Sequence, residues 1–155
     1  MPPHDVPASS PYAYEMPCPL VLANLLTVLL ASYGDKGGTG DRVHIHVPEL
    51  RVGEAAATTL ALVVHELATN SIKYGALSAA DGTLDVSCTA HNGDLTLVWT
   101  ERGGPPVAAP GGPAGFGSKL VAQSMAGQLG GSVAYDWPAA GMVATLRMNK
   151  ARLAL

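Results

Sequence analysis

Charge is scarce in this 155-residue chain: 14% of residues are charged, and nine Lys and Arg stand scattered against twelve Asp and Glu, leaving a net charge of −3. A general nucleic-acid binder needs a clustered basic face, so that class is excluded. Cysteine is equally rare. Cys18 and Cys88 have no metal or redox spacing and fall in apolar segments, which suits buried free thiols in a reducing compartment. No apolar run reaches the roughly 18 residues of a membrane helix. The N-terminus, "MPPHDVPASSPYAYEMP", lacks the basic-then-apolar pattern of a signal peptide. A cytoplasmic protein is expected, and no internal repeat is visible. What the chain has in quantity is hydrophobic residues, 48% of the total. That suffices for one globular core at this length. Residues 1–17 read as a Pro-rich tail or junction, and 18–155 as one domain.

Periodicity supplies the elements. "CPLVLANLLTVLLASYG" (18–34) is apolar on nearly every face, as a buried helix is, and stops at Gly34. "RVHIHV" (42–47) alternates Val43, Ile45 and Val47 against Arg42, His44 and His46, a strand with one wet face. "GEAAATTLALVVHELATNSIKYG" (53–75) is a long helix closed by Gly75. "TLDVSCTA" and "DLTLVWTE" both have period two, and "HNGD" between them is a hairpin turn. "RGGPPVAAPGGPAGFG" is too densely punctuated by Gly and Pro for regular structure. "SKLVAQSMAGQLG" is a third helix, and "SVAYDW" and "MVATLRM" pair across "PAAG". The order predicts a two-layer α/β sandwich: a mixed sheet of about five strands with three helices on one face.

The helix over 53–75 carries the first chemical signal. It begins like a zinc protease, His65-Glu66, but the second histidine of H-E-x-x-H would fall on Thr69, which excludes that reading. Leu60, Val63, Val64 and Leu67 share a face that packs on the sheet. Glu66, Asn70 and Lys73, at i, i+4 and i+7, line a neighbouring stripe. A carboxylate, an amide oxygen and an ammonium in one row suit a metal–phosphate ligand, because hard Mg²⁺ takes oxygen ligands and retains waters and phosphates. Asn70 would supply the metal's oxygen, Lys73 would neutralise phosphate, and Glu66 would orient or deprotonate a water. The plain alternative is a solvated helix face.

Two glycine-rich stretches favour the chemical reading. "WTERGGPP" places Glu101 at a strand end, just before Gly103 and Gly104, where a carboxylate can accept from an exocyclic amine and bare backbone lets a flat base approach. "GFGSKL" places Gly115 and Gly117 ahead of a helix, whose N-terminus favours phosphate. A P-loop is rejected: Ser118 and Lys119 are in the wrong order and no strand precedes them. A dinucleotide fingerprint fails for want of a βαβ unit.

"HELATNSIKYGALS", "LVWTERGGPPV" and "GFGSKL", in that order, resemble the ATP-binding catalytic domain of bacterial sensor histidine kinases, and within them the HWE subgroup, whose letters fall on His65, Trp99 and Glu101. The resemblance spans roughly residues 18–149. It implies the Bergerat (GHKL-type) ATPase fold, with ATP and Mg²⁺ as ligands. It puts Mg²⁺ on Asn70, catalytic polarisation on Glu66 together with His65, and the nucleotide phosphates near Lys73 and Tyr74. Glu101, followed by Gly103 and Gly104, stands where most relatives bind the adenine amine with an aspartate. Residues 104–114 would form the lid over the nucleotide, closed by Gly115, Phe116 and Gly117, with Phe116 anchoring it. The partners so implied are a dimerisation domain bearing the phosphoacceptor histidine and a response regulator, with neither nucleic acid nor membrane contacted.

The sequence departs from a complete kinase in one respect. No helical segment with a phosphoacceptor motif precedes the domain, and His4 in "PPHDVP" has no such context. The expectation is a domain excised from a longer kinase, or a stand-alone module acting on a partner. A pseudo-kinase interaction module that docks a phosphotransfer partner without ATP turnover is the rival, and a serine kinase of the anti-sigma type a third reading. Of the remaining candidates, His44 and His46 share a strand face without a third ligand. Trp99 continues the inward set of Leu95 and Leu97, so core packing is its first role. His65 reads equally as a helix histidine that hydrogen-bonds Glu66.

Overall fold

The computed structural model describes residues 20–33, 42–106 and 116–155, and of Phe116 the backbone alone. Over these the chain forms α1 (Leu22–Leu30), β1 (Val43–His46), α2 (Glu54–Tyr74), a single 3-10 turn (Ala76–Ser78), β2 (Thr83–His91), β3 (Asp94–Arg102), α3 (Phe116–Gly127), β4 (Ser132–Asp136), β5 (Val143–Asn149) and α4 (Lys150–Leu153). Five strands lie in one sheet in the order β1-β2-β3-β5-β4. β1 runs parallel to β2, while β2–β3, β3–β5 and β5–β4 are antiparallel. This is the mixed-sheet α/β sandwich that the element order predicts.

Period-two alternation decides which face of the sheet is covered. Leu84, Val86, Leu95, Leu97, Trp99, Ala144, Leu146 and Met148 point to the helices and are buried. In register across three strands, Val86, Trp99 and Ala144 lie side by side, so the largest side chain of the core is flanked by a medium and a small one. α2 is the central helix of the other layer. Its buried residues include Ala56, Leu60, Val63, Val64, Leu67 and Ser71, recurring at three- and four-residue intervals on one stripe. It ends where Gly75 donates its N–H to the Ser71 carbonyl at 2.9 Å. α1 adds Leu22, Leu26 and Leu30, each one turn apart. It is tied to the strand side by Leu22 N–H to Leu50 O (2.8 Å) and Val52 N–H to Leu20 O (2.7 Å).

The β2–β3 turn has Asn92 at φ 49° and Gly93 at φ 83°. Both central residues sit in the left-handed region, which matches the twist of a two-residue hairpin and admits Asn-Gly at little cost. Three details differ from the sequence reading. α3 begins at Phe116 rather than Ser118 and ends at Gly127 rather than Gly130. α4, N-capped by the Asn149 side chain accepting from Arg152 N–H, and the 3-10 turn are too short to imprint a period on the sequence. Arg42, expected on the wet face of β1, is half-buried; its guanidinium donates to the carbonyls of Gly82 (3.0 Å) and Ala79. The expected tail (1–17), Cys18, Gly115 and most of the expected lid lie outside the described residues.

Two outcomes follow from this packing. Leu67, 2% exposed in the α2–sheet interface, is expected to cost about 2–5 kcal/mol on truncation to Ala. The same change at the 47% exposed Leu62 should stay within about 0.5 kcal/mol, with urea denaturation comparing the two. Burial pushes the Cys88 thiol up to about 11, so it stays protonated and a poor nucleophile at pH 8. In a Cys18→Ala background, native protein is expected to leave a disulfide reagent unreacted at pH 8, and urea should release one equivalent of reactive thiol.

Candidate functional site

The last two turns of α2 divide their side chains between two environments. Ser71 points into the protein and is 1% exposed, while Asn70, Lys73 and Tyr74 point to solvent and Glu66 is half-buried. The stripe expected from spacing is present: Glu66, Asn70 and Lys73 follow one another along the same side of the helix, because four and three residues are close to whole turns.

Behind that stripe lies Glu101, 3% exposed. A buried carboxylate is costly unless donors replace the lost water. Three do so here. The Ser71 hydroxyl donates to Oε1 at 2.7 Å and the Ala76 N–H donates to the same oxygen at 2.9 Å. The Trp99 indole N–H donates to Oε2 at 3.0 Å. Ser71 is itself fixed, since its oxygen accepts from Leu77 N–H at 3.2 Å. Arg42 holds the outer side of the same 76–82 segment through its carbonyls. Trp99 and Glu101 are two apart on β3 and share its inner face, so W-x-E is a local hydrogen-bonded unit as well as a piece of core. The expectation of core packing for Trp99 holds, with a polar contact added.

Two glycines lie where these carboxylates pass close to backbone. A methyl at Gly75 would collide with Glu101 Oε1, and one at Gly117 would collide with Glu66 Oε2. Glu66 therefore reaches from α2 to the first turn of α3, where unpaired backbone N–H groups favour negative charge. Gly103, at φ +77°, turns the chain off β3, and Gly104 lies against Ala76 without room for a side chain. The α2 stripe, Glu101, the 103–104 turn and the start of α3 thus share one end of the sandwich. Gly115 and the Phe116 side chain lie outside the described residues.

His65 goes elsewhere. Its Nδ1 pairs with the Tyr33 hydroxyl of α1 at 2.9 Å, so the reading in which it bonds and orients Glu66 is corrected. Consecutive helical residues diverge by about 100°, which turns His65 towards α1 while Glu66 faces α3. There it joins Leu29, Tyr33 and Leu62 around a groove of about 390 Å³ between α1 and α2. His44 is likewise engaged, with Nδ1 3.1 Å from Asp85 on the outer sheet face. No group of three metal-ligating side chains occurs among the described residues. Sequence reasoning missed Ser71, Ala76 and Arg42. Ser71 was detectable in principle, because it occupies a core-facing position of α2 with a polar side chain that needs a partner.

A one-sided α/β sandwich with a buried strand-end carboxylate and a polar helix stripe at one end defines a class, and similarity to known proteins narrows it. The chain is 35% identical over 130 residues to blue-light-activated histidine kinase 1 of Erythrobacter litoralis, covering 83% of this chain and 36% of that protein. Among solved structures, the histidine kinase domain of the Erythrobacter litoralis EL346 blue-light-activated histidine kinase aligns with TM-score 0.67 at 18% identity, covering 85% of this chain and 64% of that one. The catalytic domain of histidine kinase ThkA aligns with TM-score 0.63 at 14% identity, covering 86% and 96%. No protein-family model matches the chain. Over most of its length the chain is similar in sequence to a curated histidine kinase, and it has the fold of histidine kinase catalytic domains. It spans little more than a third of the length of the curated relative named above.

The close approaches give a stability contrast. Gly75→Ala is expected to destabilise by about 1–3 kcal/mol, since the methyl displaces a buried hydrogen-bonded carboxylate. At Gly127 a Cβ meets nothing within 4 Å, and Gly127→Ala should stabilise by about 0.4–1 kcal/mol. Thermal unfolding of the two variants beside wild type checks both signs.

Proposed function

We propose that this chain is the ATP- and Mg²⁺-binding catalytic domain of a cytoplasmic sensor histidine kinase of the HWE subgroup. It would pass the γ-phosphoryl group of ATP to a histidine on a separate dimerisation domain, with a response regulator downstream. The observation that carries the reading is the convergence of Glu66, Asn70 and Lys73 with Glu101 and the start of α3 at one end of the sandwich. Phosphoryl transfer asks little covalent chemistry of a protein and much positioning, and these groups are arranged for positioning.

The residues fit the ligands. Asn70, solvent-facing with an amide oxygen, suits a hard cation that keeps most of its waters. Bound there, Mg²⁺ would supply neutralisation of phosphate charge. Lys73 and Tyr74, both exposed on the same end of α2, would meet the phosphates. Gly117, at the first turn of α3, offers backbone N–H to them, with Gly115 and Phe116 assigned to the lid by family resemblance. Glu101 would accept the exocyclic amine of the base, with Gly103 and Gly104 letting the chain after β3 pass close to the 76–82 segment beside it. Glu66 would polarise the attacking imidazole. His65, tied to Tyr33, would act on this only through the packing of α1 against α2.

A docking module without ATP turnover is the second reading, and the apolar groove beside His65 is the observation in its favour. Calorimetric titration of Mg²⁺–ATP into wild type and Asn70→Ala separates the two. Wild type is expected to bind in the micromolar to millimolar range, with the variant losing most of the Mg²⁺-dependent affinity. Folded wild type that takes up no ATP at millimolar concentration would leave the docking module standing.

A further inference from the structure

We infer that Trp99 is a positioning residue for base selection, its indole N–H aiming the acceptor of Glu101 that the described residues leave open to a ligand. The inference rests on the nucleotide-binding reading above and adds to it the residue that sets specificity.

A carboxylate offers about four acceptor positions, two on each oxygen. On Oε1 both are taken, by the Ser71 hydroxyl at 2.7 Å and the Ala76 N–H at 2.9 Å. On Oε2 one is taken, by Trp99 Nε1–H at 3.0 Å. Among the described residues, a single position on Oε2 is therefore left open. Its direction is fixed because the donor that defines it sits on a ring that is 0% exposed, held between Val86 and Ala144 of the neighbouring strands. Such a ring cannot turn without displacing the core. An oxygen presented there as acceptor meets the N–H of a 6-amino purine, and sets lone pair against lone pair with a 6-oxo purine.

Removing the indole N–H changes this arithmetic. Oε2 then loses the donor that fixes it, and the carboxyl group is left free to turn, so that no acceptor is held in register with a 6-amino group. A tryptophan needed only for packing would behave differently: its replacement would lower stability and weaken both purines by the same factor, leaving their ratio unchanged.

The experiment titrates ATP and inosine triphosphate, each with Mg²⁺, into wild type and Trp99→Phe, with thermal unfolding of both proteins recorded. Wild type is expected to favour ATP by roughly 10- to 100-fold, the range of one hydrogen bond to a charged group. Trp99→Phe should narrow that preference to within about threefold, while the Mg²⁺ dependence that reports on Asn70 persists. A variant that keeps the wild-type preference overturns the inference and leaves nucleotide binding intact, as does a wild type with no preference between the purines. A folded wild type that binds neither nucleotide removes the site itself. Should Trp99→Phe fail to fold, benzothienyl-alanine is incorporated in place of tryptophan in a Trp137→Phe background. It keeps the ring's shape and replaces N–H by sulfur, and the same narrowing is expected; an unchanged ratio there overturns the inference.

Discussion

Everything at the functional end of this molecule depends on a carboxylate that has been taken out of water. Glu101 is 3% exposed, and its burial is tolerable because three donors from three different places meet it: the end of α2, the turn after it, and β3 itself. Breaking one partner of such a network costs more than the bond was worth, because the remaining charge stays buried. The carboxylate therefore fixes its surroundings as firmly as they fix it. Through Ser71 it sets the rotation of the last turns of α2, and hence the direction in which Asn70 and Lys73 leave the helix. Through Ala76 it sets where the chain goes after Gly75. The base end and the phosphate end of the proposed nucleotide site are thus referenced to a single buried group.

The division of labour around α2 follows from helical geometry. One stripe, from Ala56 to Ser71, is spent on the sheet. About a third of a turn away, Glu66 leads a stripe towards α3. In the other direction His65 meets Tyr33 on α1. Three neighbours thus read three faces of one helix, and a rotation of α2 cannot serve one of them without disturbing the others. His65 and Glu66 are joined by one peptide unit, so the contact with α1 and the reach towards α3 are set by the same turn of the helix.

Much of this was legible in the sequence, for identifiable reasons. The five strands and three main helices announce themselves through periods of two and 3.6, and Asn92-Gly93 through the one turn type that demands left-handed backbone at both positions. The Glu66–Asn70–Lys73 row is a matter of spacing. What spacing cannot give is the partner of a side chain across the fold. His65 looked adjacent to Glu66 because it is adjacent in sequence, and adjacency in a helix means divergence. Ser71 looked like one more polar residue after Asn70, and its value appears only when β3 brings Glu101 to it. Arg42 was assigned to water by strand alternation, whereas carbonyls of the 76–82 segment, 34 and more residues downstream, were waiting for its guanidinium.

The W-x-E spacing itself can now be understood physically. Residues two apart on a strand share a face, so the tryptophan and the glutamate both project towards the helices. An aspartate at position 101 would hold its oxygens one methylene closer to the strand, short of Ser71 and Ala76, which meet the longer side chain in α2 and the turn beyond. Glutamate spans that gap. Its extra rotatable bond costs side-chain entropy and directional certainty, and the indole N–H two residues earlier restores the certainty. Glycine at 75 completes the fit, because the same reach that brings Oε1 to Ala76 leaves no room for a Cβ beside it. Glutamate, tryptophan and glycine are therefore one geometric solution, and replacing any of the three alone should disturb the other two.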